Sequence, residues 1–221
     1  MNPGLPQRRA LRLKGYDYSQ PGRYFVNICS FDRRCIFGRV RNAEIILSPI
    51  GEIVDRCWQQ IPSHYEYVSL DEYRIMPNHV HAILIIRDEH RDGACPVRDD
   101  PHGVGTQRAS LSAIVGSAKS AATKLAHDAG YMIGQSIWQS RFYDRIIWDD
   151  RSHFLVRQYI ELNPLFWEFD IHNPDTKGIT LEAFEAILRE KYHLAGQALA
   201  MVLESKAMSR VRLLGGDSDD A

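Results

Sequence analysis

The chain of 221 residues predicts an α+β fold: a ferredoxin-like antiparallel sheet in the order βαββαβ, followed by a further helix. Three observations carry this prediction. Runs rich in β-branched and aromatic residues alternate with stretches whose apolar residues recur at helical spacing. Capping and turn residues stand at the joints between them. Two strand-like runs in the middle of the chain are separated only by Pro77-Asn78, as antiparallel neighbours can be. Two βαβ halves in this order give an antiparallel sheet covered by helices on one face.

The first strand is Tyr24-Phe25-Val26-Asn27-Ile28-Cys29-Ser30-Phe31, which follows a Pro21-Gly22 turn and is dense in strand-forming residues. A hairpin through Arg41-Asn42 leads to a short strand from Ala43 to Leu47. Ser48-Pro49 then pairs a capping residue with a proline at the first helical position, and Ile50, Ile53, Val54, Cys57 and Ile61 follow on one face, with Pro62 expected to end the helix. Tyr65 to Met76 and His79 to Arg87 read as the antiparallel pair. Residues 88–109, polar and rich in Gly, Pro and Asp, read as a long loop. Ser110 caps a helix with Leu111, Ile114, Val115, Ala118, Ala122 and Leu125 as its apolar stripe. Phe142 to Trp148 is the last strand. Asp149 to Ser152 supplies the cap of a helix over about 153–162, which Asn163-Pro164 is expected to stop. A final helix begins near Thr180, and the tail beyond Arg212 is expected to be disordered.

Composition narrows the class. With 44% apolar and 25% charged residues, the chain suits a globular protein with a full core. No apolar run reaches the length of a membrane helix, and the N-terminus lacks the apolar segment of a secretory signal, so a cytoplasmic location without a membrane partner is expected. Cys29, Cys35, Cys57 and Cys95 include no C-x-x-C pair and read as reduced thiols, mostly in the core. The net charge is −1, but residues 1–41 hold nine Lys and Arg against Asp17 and Asp32. That is a local charge of +7, a surface suited to phosphates or simply a solvated terminus.

Chemistry concentrates in two places. In Met76-Pro77-Asn78-His79-Val80-His81, strand alternation sends His79 and His81 to the same face. Two adjacent imidazoles suit a divalent metal, or they are two half-buried histidines. In the later helix, Tyr159 and Asn163 are four apart and share a face. A tyrosine oxygen can act as a nucleophile and an amide oxygen as a metal ligand. The plainer alternative has Tyr159 packing with Leu155 and Leu162 while Asn163 caps the helix before Pro164. Tyr143 is the fallback nucleophile, although it lies in a strand without a polar partner four residues on.

Together, the His-Val-His strand after Met-Pro-Asn and the helix Tyr159-Ile160-Glu161-Leu162-Asn163-Pro164 resemble the HUH single-tyrosine transposases, in particular the REP-associated (insertion-sequence-like Y1) tyrosine transposases. Arg12 to Tyr18, Gly22 to Val26 and Trp138 to Arg145 are also similar to that group. The resemblance covers roughly residues 8–168. It implies a nuclease domain over 21–168; the charge and helix patterns add a basic arm over residues 1–20 and a helical extension with a tail over 169–221, the latter outside the resemblance.

The resemblance further implies that His79 and His81 bind Mg²⁺ or Mn²⁺ with Asn163 as third ligand. Tyr159 would attack a phosphodiester of single-stranded or hairpin DNA to give a 5′-phosphotyrosine. The active unit would be a monomer or a homodimer. Candidate DNA contacts are Arg12 and Lys14 of the arm, Arg33 and Arg34 after the first strand, Lys119 and Lys124 on the long helix, and Arg141 and Arg145 around Phe142; basic residues interleaved with aromatics suit backbone neutralisation plus base stacking. The near-neutral total charge is expected to limit nonspecific DNA affinity. Two other readings remain: a hairpin-binding protein without strand transfer, and a metal-dependent phosphoesterase. A histidine-triad hydrolase would need a histidine at position 83, where Ile83 stands.

Overall fold

The structure, a computed structural model, describes residues 13, 15–88, 109–170, 173–190 and 193. Its elements run β1 (Gly22–Cys29), β2 (Gly38–Arg41), β3 (Glu44–Leu47), α1 (Pro49–Gln59), α2 (Ile61–His64), β4 (Val68–Met76), β5 (His79–Ile86), α3 (Leu111–Asp128), β6 (Tyr143–Ile147), α4 (Asp150–Phe166) and α5 (Leu181–Glu190). The main sheet is four-stranded in the order β4-β5-β1-β6, and every neighbouring pair is antiparallel. This is the predicted α+β, ferredoxin-like arrangement. The hairpin β2-β3 stands apart as a small second sheet.

Strand alternation divides the sheet into two chemically different faces. Tyr24, Val26 and Ile28 of β1, with Val80, Ala82, Leu84 and Ile86 of β5, point into the large core beneath α1 and α3. Phe25 and Ile83 point the other way, where Ile147 and Ile160 complete a smaller cluster under α4. The sheet is therefore covered on both faces. The first helix is set by Ser48, whose hydroxyl accepts from the Gly51 amide at 3.1 Å and donates to the Ile36 carbonyl at 2.6 Å. Gly51 is required here, because a Cβ would lie 1.9 Å from the Phe37 carbonyl oxygen.

Several boundaries differ from the sequence expectation. Pro62 does not end the helical region; it lies in the first turn of α2, where its missing amide costs nothing. Ser30 and Phe31 leave the first strand, Ser30 forming an isolated bridge with Trp138 and Phe31 opening a short 3-10 turn. Leu125 is exposed, and Ala126 takes the buried position on α3. Cys29 and Cys57 are buried but Cys35 is exposed; Cys95 lies outside the described residues.

The largest correction concerns α4, which does not stop at Asn163-Pro164 but runs through Pro164 to Phe166. An interior proline costs roughly 3 kcal/mol. Continuing the helix buries Leu165, Phe166 and Trp167, each contributing roughly 1.5–3 kcal/mol, so packing outweighs the broken hydrogen bond. Phe166 and Leu165 join Phe184 and Leu188 of α5 in a third cluster, so α5 packs on the C-terminal end of α4. The loop over 89–108 and the tail beyond Arg212 lie outside the described residues.

Candidate active site

The buried turn Pro77-Asn78 between β4 and β5 starts the site. The Pro77 carbonyl accepts from the Phe37 amide at 2.9 Å, and the Asn78 carbonyl accepts from the Ser30 amide at 2.9 Å. The Asn78 side chain donates through Nδ2 to the Arg33 carbonyl at 3.1 Å. Its Oδ1 lies 2.8 Å from His79 Nδ1, so the imidazole N–H donates to this amide oxygen. That bond places the His79 proton on Nδ1 and leaves Nε2 as the lone-pair nitrogen, as a metal-binding histidine requires.

His79 pairs in register with Cys29 and Met76, and His81 with Asn27 and Arg74. Both imidazoles therefore project from the α4 face of the sheet, with ring centroids 4.4 Å apart. Residues of α4 close over them. The Tyr159 ring lies 5.0 Å from the His81 ring at an interplanar angle of 30°. Asn163 Nδ2 is 3.4 Å from His81 Nδ1. Trp167 lies 6.0 Å from His79. Phe25 forms the floor, with its centroid 5.4 Å from His81 and 6.1 Å from Tyr159. Two motifs some eighty residues apart in the chain thus meet at one point.

The donor set suits a divalent cation. His79, His81 and Asn163 are all at least 98% buried, and the Asn163 Oδ1 has no hydrogen-bond partner. A buried acceptor left this way costs about 1–3 kcal/mol, and a cation beside the two imidazoles would relieve it. Among the described residues no cluster of three His, Cys, Asp or Glu side chains is suited to a metal. A three-ligand site here therefore depends on the amide of Asn163. The packing alternative for Tyr159 is half realised: Leu162 packs against the same cluster as Tyr159, whereas Leu155 is exposed. Asn163 does not cap α4, because the helix continues past it.

The helix α4 is held against the sheet by charge as well as by apolar contacts. A register shift in β4 between Leu70 and Tyr73 brackets Asp71 and Glu72. Asp71 accepts from His153 Nε2 at 2.6 Å and from Arg157 at 2.7 Å. Asp149 caps the N-terminus, accepting from the Ser152 amide and hydroxyl, each at 2.8 Å. These two bonds hold its carboxyl below the usual range.

The proposed DNA contacts scatter. Arg34 is committed to structure: it donates to Gln135 Oε1 at 3.1 Å and to the Ser136 carbonyl at 3.0 Å, and lies 5.7 Å from the Phe31 ring centroid. Arg33 is exposed. Lys119 donates to the Gln139 carbonyl at 2.9 Å, and burial lowers its pKa. With Ser120, Thr123, Lys124 and Trp138 it lines a hollow of about 370 Å³ on the far side of the sheet from the histidines, and Lys124 pairs with Asp128. Arg141 is exposed and Arg145 half-buried. Tyr143 lies in β6, 39% exposed. Arg12 and Lys14 lie outside the described residues. Sequence reasoning missed Asn78, Phe25, Trp167 and Asp71. Asn78 was open to discovery as the polar neighbour of His79, whereas the other three depend on register and docking.

No protein-family model matches the chain. Among solved structures, a REP-associated tyrosine transposase bound to a REP hairpin aligns with a TM-score of 0.48 and 16% identity, covering 70% of this chain and 72% of that one. A Deinococcus radiodurans protein described as a candidate transposase aligns with a TM-score of 0.36 and 16% identity, covering 68% of this chain and 95% of that one. An uncharacterized protein of Haemophilus influenzae is 34% identical over 173 residues, 76% of this chain and 94% of its own length. At that identity and coverage, the chain belongs to the same family as the Haemophilus influenzae protein.

Proposed function

We propose that the protein cleaves and rejoins single-stranded DNA through Tyr159, in the manner of the transposases its motifs resemble. The substrate class is hairpin-forming palindromic repeats, and the cofactor is Mg²⁺ or Mn²⁺ held by His79, His81 and Asn163. The observation that carries this reading is the Tyr159 ring lying 5.0 Å from the His81 ring, with Asn163 against the same imidazole.

Bound there, the cation supplies positive charge against the anionic oxygens of the phosphodiester. The chain's own residues perform the remaining steps. Asn78 fixes the His79 ring and its tautomer. Phe25, Ile83 and Ile160 make the floor apolar and keep water from it. Tyr159 gives up its hydroxyl proton and its oxygen bonds to phosphorus. The bond from phosphorus to the 3′ oxygen breaks, and that oxygen takes a proton and leaves as a 3′-hydroxyl. The 5′-phosphotyrosine retains the ester, so the reverse attack rejoins a strand without ATP.

Incubation with single-stranded hairpin DNA and Mg²⁺ tests the reading. The wild type should give a protein–DNA adduct stable to denaturant. Tyr159→Phe should lose the adduct and keep DNA binding, while His79→Ala, His81→Ala or a chelator should remove cleavage. Adduct formation by Tyr159→Phe would reject the assignment. Free hydrolysed ends would instead identify a phosphoesterase, and binding without product a hairpin-binding protein.

A further inference from the structure

Arg141 and Arg145 flank the pair Phe142-Tyr143 and Asp144, and the pleat at the start of β6 decides which aromatic is available to a ligand. Phe142 packs against the large core on the α1 and α3 side. Tyr143 turns to the opposite face, where it is 39% exposed. It pairs with Asn27, which on its other side pairs with His81. His81, Asn27 and Tyr143 thus form one row across three strands, and strands two apart are separated by roughly 10 Å. Phe25 touches both ends of the row, its ring centroid 6.2 Å from Tyr143 and 5.4 Å from His81. β6 is the edge of the main sheet, so among the described residues no further strand pairs beyond Tyr143. Arg145 shares its face, aligned with Phe25, and Arg141, two residues before, is exposed.

We infer that Tyr143 is a stacking platform for a DNA base next to the phosphate that Tyr159 attacks, with Arg141 and Arg145 neutralising the adjoining backbone. This assignment rests on the strand-cleavage reading of the same site. Phe25 meets the Tyr143 ring in a T-shaped contact at an interplanar angle of 65°, and Tyr143 keeps 39% of its surface exposed, an arrangement that accepts any base, because every base presents a π-face. Tyr143 acts through its ring, so its hydroxyl is dispensable. That separates the platform from the other role open to this residue, attack on phosphorus, for which the hydroxyl is indispensable.

The test uses the full chain and a mixed-sequence single-stranded oligonucleotide substituted with 2-aminopurine, whose fluorescence is quenched when it stacks. Wild type and Tyr143→Phe should bind alike, quench alike and both form the adduct. Tyr143→Ala should bind about 10-fold more weakly and lose quenching, with an unchanged thermal melt. Tyr159→Phe should quench normally without an adduct. Full quenching and affinity in Tyr143→Ala would overturn the platform while leaving cleavage by Tyr159 intact. Loss of the adduct in Tyr143→Phe would overturn it in favour of Tyr143 as nucleophile. Quenching that depends on Tyr143, in a protein that forms no adduct, would uphold the platform and reject the cleavage reading. Absence of single-stranded DNA binding by the wild type would reject both.

Discussion

Asn163 is the residue on which the metal assignment turns, because it brings an amide, with no charge of its own, to two imidazoles. Its Oδ1 is buried with no hydrogen-bond partner, and a ligand that binds only the folded state raises the melting temperature. Mn²⁺ should therefore stabilise the wild type. Asn163→Asp should place a carboxylate in the same buried position, where an uncompensated charge is costly. Its melting temperature should fall below that of the wild type in a chelator and rise further on adding Mn²⁺, as read by calorimetry. Asn163→Leu should melt near the wild type in chelator, since it removes the unmet acceptor, and show no Mn²⁺ response. A wild-type shift retained in Asn163→Leu would remove this amide from the ligand set.

At the scale of elements, the attitude of α4 governs the site, because Tyr159, Asn163 and Trp167 all enter from it or its immediate continuation. Its N-terminus depends on Asp149, whose carboxyl the Ser152 amide and hydroxyl hold below the ordinary value of 3.8. A carboxyl with a depressed folded-state pKa stabilises fully above its unfolded value, and the contribution disappears as pH falls through the folded value. The gap in melting temperature between wild type and Asp149→Ala should accordingly be full at neutral pH and close as the solution is acidified below 3.8. A gap independent of pH would mean that the carboxylate is not the capping species. The same helix shows where local signals mislead. Asn163-Pro164 reads as a stop on backbone grounds, yet the apolar residues just beyond it carry the helix onward to pack on α5.

For the molecule as a whole, charge is segregated rather than absent. The first 41 residues carry +7 and the remainder −8. If the arm holds DNA, deleting residues 1–14 removes Arg8, Arg9, Arg12 and Lys14. The slope of log affinity against log salt for single-stranded DNA should then flatten by about 0.7 for each phosphate that these side chains had neutralised. An unchanged slope would show that the arm is solvated and uninvolved. The described part of the C-terminal extension has a plainer role. Phe184 and Leu188 pack against Phe166 at the end of α4, so this segment braces the helix that carries Tyr159.

By itself the sequence determined the element order, the α+β class, the common face of His79 and His81, and the common helix face of Tyr159 and Asn163. All of these follow from periodicities that act over a few residues. Only the tertiary structure decided that α4 crosses the face of the sheet opposite α1 and α3, bringing Tyr159 over His81 and Trp167 beside His79. It also decided that Asn78 orients His79, and that Tyr143 rather than Phe142 accompanies the arginines. The physical reason is register. Each of these outcomes depends on which residues stand opposite one another across strands and between helix and sheet, and a shift of one position would exchange the two faces. That pairing is settled by the packing of the whole core, which no short stretch of sequence contains.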